Sequence, residues 1–560
     1  MHAFACLLDR LSFEPRRSAK EALLRDYFGR TPDPDRGYAL AALTGSLTFR
    51  HAKPALLRGL ISEKADPVLF ALSYDFVGDL SETIALMWPE AGCDPAGTQT
   101  PAPELATVVE TLKKLGKQDV PGTLSDWLDR LDETGRWALL KLVTGGLRVG
   151  VSARLAKTAI ARMGDVEPND LEEIWHGLDI PYTDLFAWVE GKSGRPEVSD
   201  PVPFRPVMLA HPLDEQKDQA SLDAADFVAE WKWDGIRVQA VGAVDENGQQ
   251  QRKLFSRTGE DISAAFPDVL ESLTFDAAID GELLIRRDGA IQPFSDLQKR
   301  LNRKKAGPKL MRDFPAVIRA YDVLAIKGED LRAEPFVERR KKLESLVTDL
   351  KDPRIDLSPQ LDVSGWTAWA DARKNPHTLL EPKDAGAVEG LMLKRRLSPY
   401  LPGRPKGEWF KWKREPFIVD AVLMYAQRGH GKRSSFYSDY TFGVWKQAGA
   451  EEELVPVGKA YFGFTDDELR EIDRFVRANT INRFGPVREV AHAPDNGLVL
   501  EVAFEGLNRS TRHKSGVAMR FPRISRLRWD KKPVDADKLE LLESLLQGVD
   551  TASQKTSGKA

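Results

Sequence analysis

The residues of this chain best placed to do chemistry begin at Glu230-Trp-Lys232-Trp-Asp234-Gly235-Ile-Arg237, an amine set between two acids and two indoles. The pattern reads as a strand, a tight turn and a second strand. A lysine amine is nucleophilic only when neutral, and with an ordinary pKa near ~10.4 about one in 2,500 is neutral at pH 7. A site that used Lys232 in this way must favour the neutral form, and nearby positive charge is the direct means. Taken alone the pattern is weak. A bare K-x-D-G arises by chance in roughly one chain in six of this length, and a polar hairpin tip accounts for it equally well.

Further groups follow in a fixed order. They are Ser256-Arg257-Thr-Gly-Glu-Asp, Ile279-Asp280-Gly281-Glu282-Leu-Leu, Tyr321-Asp322-Val-Leu with Arg339-Arg340 after it, Glu389-Gly-Leu-Met-Leu-Lys394, and Trp409-Phe-Lys411-Trp-Lys413. The last is Arg520-Phe-Pro-Arg523, which leads to Arg528-Trp-Asp530-Lys531. Hard oxygens such as those of Glu282 and Glu389 suit Mg²⁺, which takes few protein ligands and keeps several waters. Each group also has a plainer reading. A single strand acid is more often a surface acid, and Trp409–Lys413 taken alone is a half-buried strand with lysine stems lying along apolar surface.

The elements that must position these groups change character along the chain. Up to about residue 200 apolar residues recur at three- and four-residue steps, as in Pro54-Ala-Leu-Leu-Arg-Gly-Leu-Ile and Ser125-Asp-Trp-Leu-Asp-Arg-Leu-Asp, which predicts helices, with Ser125 as a candidate cap. Thr144-Gly-Gly-Leu-Arg-Val-Gly-Val-Ser152 interrupts that pattern. Gly194-Arg-Pro-Glu-Val-Ser-Asp-Pro-Val-Pro-Phe-Arg-Pro206 reads as an extended linker. From about 226 the period drops to two, with helices such as Glu338–Leu346 interleaved, so the middle region is α+β. From about 415 an apolar strand beginning Phe417-Ile-Val-Asp-Ala-Val-Leu-Met opens a run of short strands and turns, as in a small barrel.

Composition bounds the function classes. The 560 residues carry 81 Lys+Arg against 85 Asp+Glu, a net charge of −4, with 42% hydrophobic and 30% charged residues, enough for several packed cores. No run approaches the ~20 apolar residues that span a bilayer. The opening Met1-His-Ala-Phe-Ala-Cys-Leu-Leu-Asp-Arg lacks the basic and apolar regions of a secretory signal, and Asp9 and Glu14 speak against a transit peptide. Two cysteines, Cys6 and Cys93, cannot form a disulfide framework or a four-thiolate zinc site. A soluble, cytoplasmic protein without membrane contact is expected. Near-neutral total charge leaves a nucleic-acid partner open, since the distribution of charge decides that. Three local basic runs stand out: Lys299–Lys305, Arg428–Arg433 and Asn508–Ser515.

The ordered series of groups resembles the covalent nucleotidyltransferase superfamily of DNA ligases, RNA ligases and mRNA capping enzymes, and covers about residues 205–545. The region before it resembles the helical DNA-binding domain of ATP-dependent DNA ligases, through Thr144–Ser152 and through Asp66–Glu82, which is similar to the bacterial branch. The resemblance implies a multidomain chain. Its expected parts are an all-α DNA-binding domain (1–200), an α+β adenylation domain (205–413), a β-barrel OB-fold domain (414–545) and a disordered tail (546–560).

The resemblance also implies roles. Lys232 is the expected nucleophile on the α-phosphate of ATP, forming a lysyl-AMP. Glu230, Arg237, Arg257, Glu282, Tyr321, Arg404, Lys411 and Lys413 join Lys232 in holding ATP: Glu230 at the adenine, Tyr321 stacked on it, Arg237 and Arg257 at ribose and phosphates, and the lysines on phosphate. Glu282 and Glu389 are the expected Mg²⁺ ligands. Arg528 and Lys531 are expected to orient the pyrophosphate, with a hinge near Lys413–Pro416. Thr144, Gly145, Gly146, Arg148, Arg433, Arg512 and Lys514 are expected on the DNA backbone. The implied activity is ATP-dependent sealing of nicks in duplex DNA by a monomer. The alternatives are an RNA ligase-like nucleotidyltransferase and a non-catalytic nick-binding protein. No G-x-x-x-x-G-K-[ST] is present for a P-loop, and the NAD-dependent ligases' four-cysteine motif is absent.

Overall fold

The computed structural model describes residues 1–77, 79–89, 101–197, 200–245, 247–301, 303, 305–428, 436–449, 451–484, 487–510 and 513–554. Its regular elements among the described residues before 200 are all helices, from His2–Phe13 to Thr183–Val189. These helices enclose one apolar core. The three- and four-residue spacing does this directly: in Val120–Arg130 the buried residues are Val120, Leu124, Trp127 and Leu128, one stripe of the helix. That helix starts at Val120 with Pro121 in its first turn, so Ser125 lies mid-helix and caps nothing, a correction to the expectation. Proline suits the first turn, where its missing N–H is not needed.

The middle region is built on two sheets. One runs in the order His211–Pro212, β7 (Trp409–Lys413), β6 (Val388–Arg395), β1 (Phe227–Trp233). The other runs β3 (Gln250–Ser256), β2 (Ile236–Val244), β4 (Ala277–Arg287), β5 (Ala316–Ile326), Glu329–Asp330. The turn Asp234-Gly235 therefore carries the chain from the first sheet to the second. Its geometry demands glycine, because a Cβ at Gly235 would lie 2.5 Å from the Leu283 carbonyl oxygen on β4. In β1, Phe227, Ala229, Trp231 and Trp233 alternate into one apolar cluster with Leu391, Leu393, Phe410 and Trp412.

A strand-rich third region follows the three residues after β7. β8 (Phe417–Arg428) pairs with β9 (Tyr437–Ala448) and with β11 (Val499–Phe504); β9 pairs with β10 (Glu451–Ala460), and β11 with β12 (Arg523–Arg528). Both faces of β8 are covered: Val419, Ala421 and Leu423 enter the main core, whereas Val422 and Met424 join Trp445, Leu454 and Ala536. The last described element is the helix Leu539–Gln554. The expected disordered tail from 546 is thus corrected at its start, since the helix runs through it to Gln554. Leu539, Leu542 and Leu546 account for this by packing on the main core at a helical spacing.

Candidate active site

The two sheets of the middle region face each other across a cleft of about 620 Å³. The nucleophile hairpin sits at their junction. Glu230 and Lys232 alternate along β1, and the register sets Arg237 on β2 beside Glu282 on β4. On β6 the pairing with β1 shifts between Val388 and Leu391, and the same stretch pairs Gly390 with Lys413 of β7. Gly390 has φ +142°, and a Cβ there would sit 2.7 Å from the Lys413 Cα and closer still to the Trp412 carbonyl. This bulge brings Glu389 to the cleft.

Lys232, Glu230, Arg237, Arg257, Glu282, Tyr321, Glu389, Lys411 and Lys413 all line this cleft. Lys232 Nζ donates to Glu389 Oε1, and Lys413 Nζ lies 3.2 Å from Glu389 Oε2. Burial alone would raise the Glu389 pKa, but Lys232 and Lys413 hold it below the usual range. Burial pushes Glu282 up to about 8 against the attraction of Lys232, with the Glu389 charge adding to the rise. Burial, then the charges of Lys413, Arg404, Lys232 and Arg257, depress the Lys411 pKa, and burial with Arg237 and Arg404 depresses that of Arg257. Such a concentration of cations calls for an anion.

Arg404 is exposed and lies outside the residues lining the cleft, and it reaches the site through its charge. Arg237 is spoken for by protein: it donates to Asp280 Oδ2 at 2.5 Å, to the Tyr400 hydroxyl at 2.8 Å and to the Met208 carbonyl. Its guanidinium lies 5.9 Å from the Tyr321 ring centre, as part of the cleft wall.

Sequence reasoning gave no role to Lys394, Trp409, Met392 or Ser256, which also line the cleft. Lys394 is 1% exposed, 2.8 Å from Glu230 Oε2 and 4.5 Å over the Tyr321 ring. The period of two offered a signal: Met392 and Lys394 share a face of β6, as Trp409, Lys411 and Lys413 share one of β7. Arg520 was quoted without a role, yet it bonds both carboxylate oxygens of Asp234, and Lys413 Nζ lies 3.0 Å from Glu505. These two contacts dock the third region beside the hairpin.

Other expected residues lie elsewhere. Arg528 and Lys531 do not line the cleft. Both are bound to Asp420, Arg528 at 3.2 Å and Lys531 at 2.5 Å. In the loop after Glu133–Thr144, the Thr144 hydroxyl donates to the Leu140 carbonyl at 2.9 Å, and Gly145, Gly146 and Arg148 follow. Arg148 is exposed with φ +50°, and nothing crowds Gly145 or Gly146. Lys514 pairs with Glu453 at 3.1 Å on the surface. Arg433 and Arg512 lie outside the described residues.

Known proteins resemble this chain over the middle and third regions. A family model described as an ATP dependent DNA ligase domain matches residues 207–413, and one described as an ATP dependent DNA ligase C terminal region matches 433–531. A probable DNA ligase of Koribacter versatilis is 34% identical over 431 residues, covering 73% of this chain and 71% of that one. DNA ligase 1 of Korarchaeum cryptofilum is 29% identical over 554 residues, 96% of each chain. Among solved structures, Pmar-Lig_PreS3 matches 94% of this chain and 99% of its own with a TM-score of 0.55 at 16% identity, a likeness of fold.

Proposed function

The chain belongs to the ATP-dependent DNA ligase family and is a DNA ligase, and on that premise we propose that Lys232 is the residue that carries AMP between ATP and DNA. The observation that carries this reading is the convergence on one cleft of the Lys232 amine, the buried Glu230 acceptor and the cations Lys411, Lys413 and Arg257. Lys232 Nζ attacks the α-phosphorus of ATP; the N–P bond forms as the bond to pyrophosphate breaks. Before ATP arrives Lys232 Nζ donates to Glu389 Oε1, a contact the amine must leave to attack. AMP then passes to the 5′-phosphate of a nick, and the 3′-hydroxyl attacks that phosphate and releases AMP.

The remaining roles follow the chemistry of the lining. Glu230 Oε1 is buried and accepts no hydrogen bond among the described residues, which suits the 6-amino group of adenine. Tyr321 offers a ring to the base. Lys411, Lys413 and Arg257 serve the phosphates, with Arg404 adding charge near the mouth. Glu282 and Glu389 are hard-oxygen donors of the number Mg²⁺ uses alongside water and phosphate, and a bound ion would neutralise triphosphate charge there.

The helical region grips the duplex, with the Thr144–Arg148 loop on its backbone, and the third region is an OB-type barrel. Arg528 and Lys531 reach the pyrophosphate only after release from Asp420 and rotation about residues 413–416. The proposed ligase acts as a monomer. No helix among the described residues is long and apolar enough to cross a membrane, and a chain with two cysteines that acts on DNA fits a reducing cytoplasm.

The test is to charge the protein with α-labelled ATP and Mg²⁺ and then chase with singly nicked duplex. Label should enter the protein and leave as sealed DNA appears. Label kept until an RNA nick is supplied favours the RNA ligase reading, and no labelling with intact nick binding favours a non-catalytic role.

A further inference from the structure

Glu230 holds its two carboxylate oxygens in unlike settings. Oε2 lies 2.8 Å from Lys394 Nζ, whereas Oε1 accepts no hydrogen bond among the described residues and faces a guanidinium nitrogen of Arg340 at 3.5 Å. That nitrogen, Nη1, is itself buried without a hydrogen-bond partner. Arg340 is 6% exposed and stands on the helix Phe336–Leu350. Its other nitrogens are committed: Nε donates to Glu344 Oε1 at 2.7 Å, and Nη2 to the Ser358 carbonyl at 2.9 Å. Arg340 lines a second cavity of about 580 Å³, with Glu344, Gln360 and Arg395, whereas Glu230 lines the catalytic cleft. The guanidinium therefore reaches Glu230 from outside the cleft.

We propose that Arg340 is a positioning residue that aims Glu230 Oε1 at the nucleobase and so sets the preference for a 6-amino purine. This rests on the assignment of Glu230 to the base made above. A carboxylate with one cation at one oxygen is free to turn both oxygens toward it. A second cation, fixed at two of its own nitrogens, pulls the other oxygen the opposite way and holds the carboxylate plane between them. The 3.5 Å separation is too long for a good hydrogen bond but well inside ion-pair range, so Oε1 keeps its lone pairs for an incoming N–H. An ionised carboxylate only accepts, so the oxygen so aimed takes an amine and rejects a carbonyl. Lys394, with its ammonium over the Tyr321, Phe336 and Trp409 rings, anchors the other end.

The experiment measures lysine adenylylation with ATP and with purine riboside triphosphate, which lacks the 6-amino group, in the full chain. Arg340→Met should raise KM for ATP about tenfold, leave kcat near its starting value, and leave the analogue's KM unchanged, so the discrimination collapses. Arg340→Lys should recover part of it. Glu344→Gln, at a half-exposed tether of Arg340, should shift the ratio in the same direction by less. Glu230→Gln is the control for the underlying reading. If Glu230→Gln abolishes discrimination while Arg340→Met and Glu344→Gln preserve it, the positioning role is wrong. If Glu230→Gln also preserves it, the assignment of Glu230 to the base is wrong.

Discussion

Asp280→Asn tests how the cleft wall is held. Asp280 is fully buried on β4 and receives three donors: Arg237 and the Tyr400 hydroxyl at Oδ2, and Gln239 at 3.3 Å at Oδ1. Asparagine keeps the shape and can retain the two bonds at one oxygen. It then turns an amide N–H toward Gln239, whose own amide is fixed by the Arg205 N–H and carbonyl and cannot flip without losing both. The charge lost leaves the Arg237 guanidinium, 13% exposed, facing only neutral acceptors. Removing one partner of a buried pair costs about 3–5 kcal/mol, and the surviving bonds to Tyr400 and Met208 place this case near the lower figure, about 3 kcal/mol. For a domain of some 200 residues that corresponds to a fall in Tm of roughly 6–12 °C. Calorimetry reads the stability, and KM for ATP reads the site, which should rise because Arg237 forms the wall beside Tyr321. A variant with an unchanged Tm and unchanged KM would refute the view that this network holds the cleft.

Three other perturbations probe separate parts of the account. Gly390→Ala forces a Cβ against the Trp412 carbonyl at φ +142°, so it should cost about 3 kcal/mol or more and weaken ATP binding through Glu389 and Lys413, read by calorimetry and KM. Arg520→Ala removes the bidentate clasp on Asp234, and X-ray scattering should then show a larger radius of gyration while charging with AMP persists. His176 packs on Phe204 and Phe255, and burial, helped by the charges of Lys157 and Lys253, depresses its pKa to about 4 from 6.5. The unfolded chain therefore takes up the proton first as pH falls. Stability is fully present above pH 6.5 and is lost toward pH 4, by about 2 kcal/mol after allowance for solvent, and His176→Gln should flatten that part of the Tm–pH curve.

Legibility in the sequence followed the range of the interactions. Lys232, Glu230, Lys411 and Lys413 were readable because they alternate within single strands, and the sheets then turn that alternation into one cleft wall. The helices were readable by spacing, but Pro121 in the first turn set the start at Val120, five residues before the expected cap. Asp280, Tyr400, Lys394 and Arg340 escaped notice as site residues because their meaning depends on registers between strands and helices distant in the chain. The opposite failure concerns Arg528 and Lys531. Their motif was legible, whereas their pairing with Asp420 depends on strands of the same region that lie some hundred residues apart, and their absence from the cleft lining on where that region sits, neither of which a local pattern encodes. The helix through Gln554 was missed because the Ser/Thr/Lys/Gly composition of residues 551–560 set the tail, while the leucines that dock the helix lie ahead of it, at Leu539, Leu542 and Leu546.

The most direct measurement is peptide mapping by mass spectrometry after the full chain has been incubated with ATP and Mg²⁺. The account predicts one AMP on the peptide containing Lys232, joined through its side-chain nitrogen and lost when nicked duplex is added. An adduct on Lys394, Lys411, Lys413 or any other residue, or an unmodified chain that still seals nicks, would contradict it.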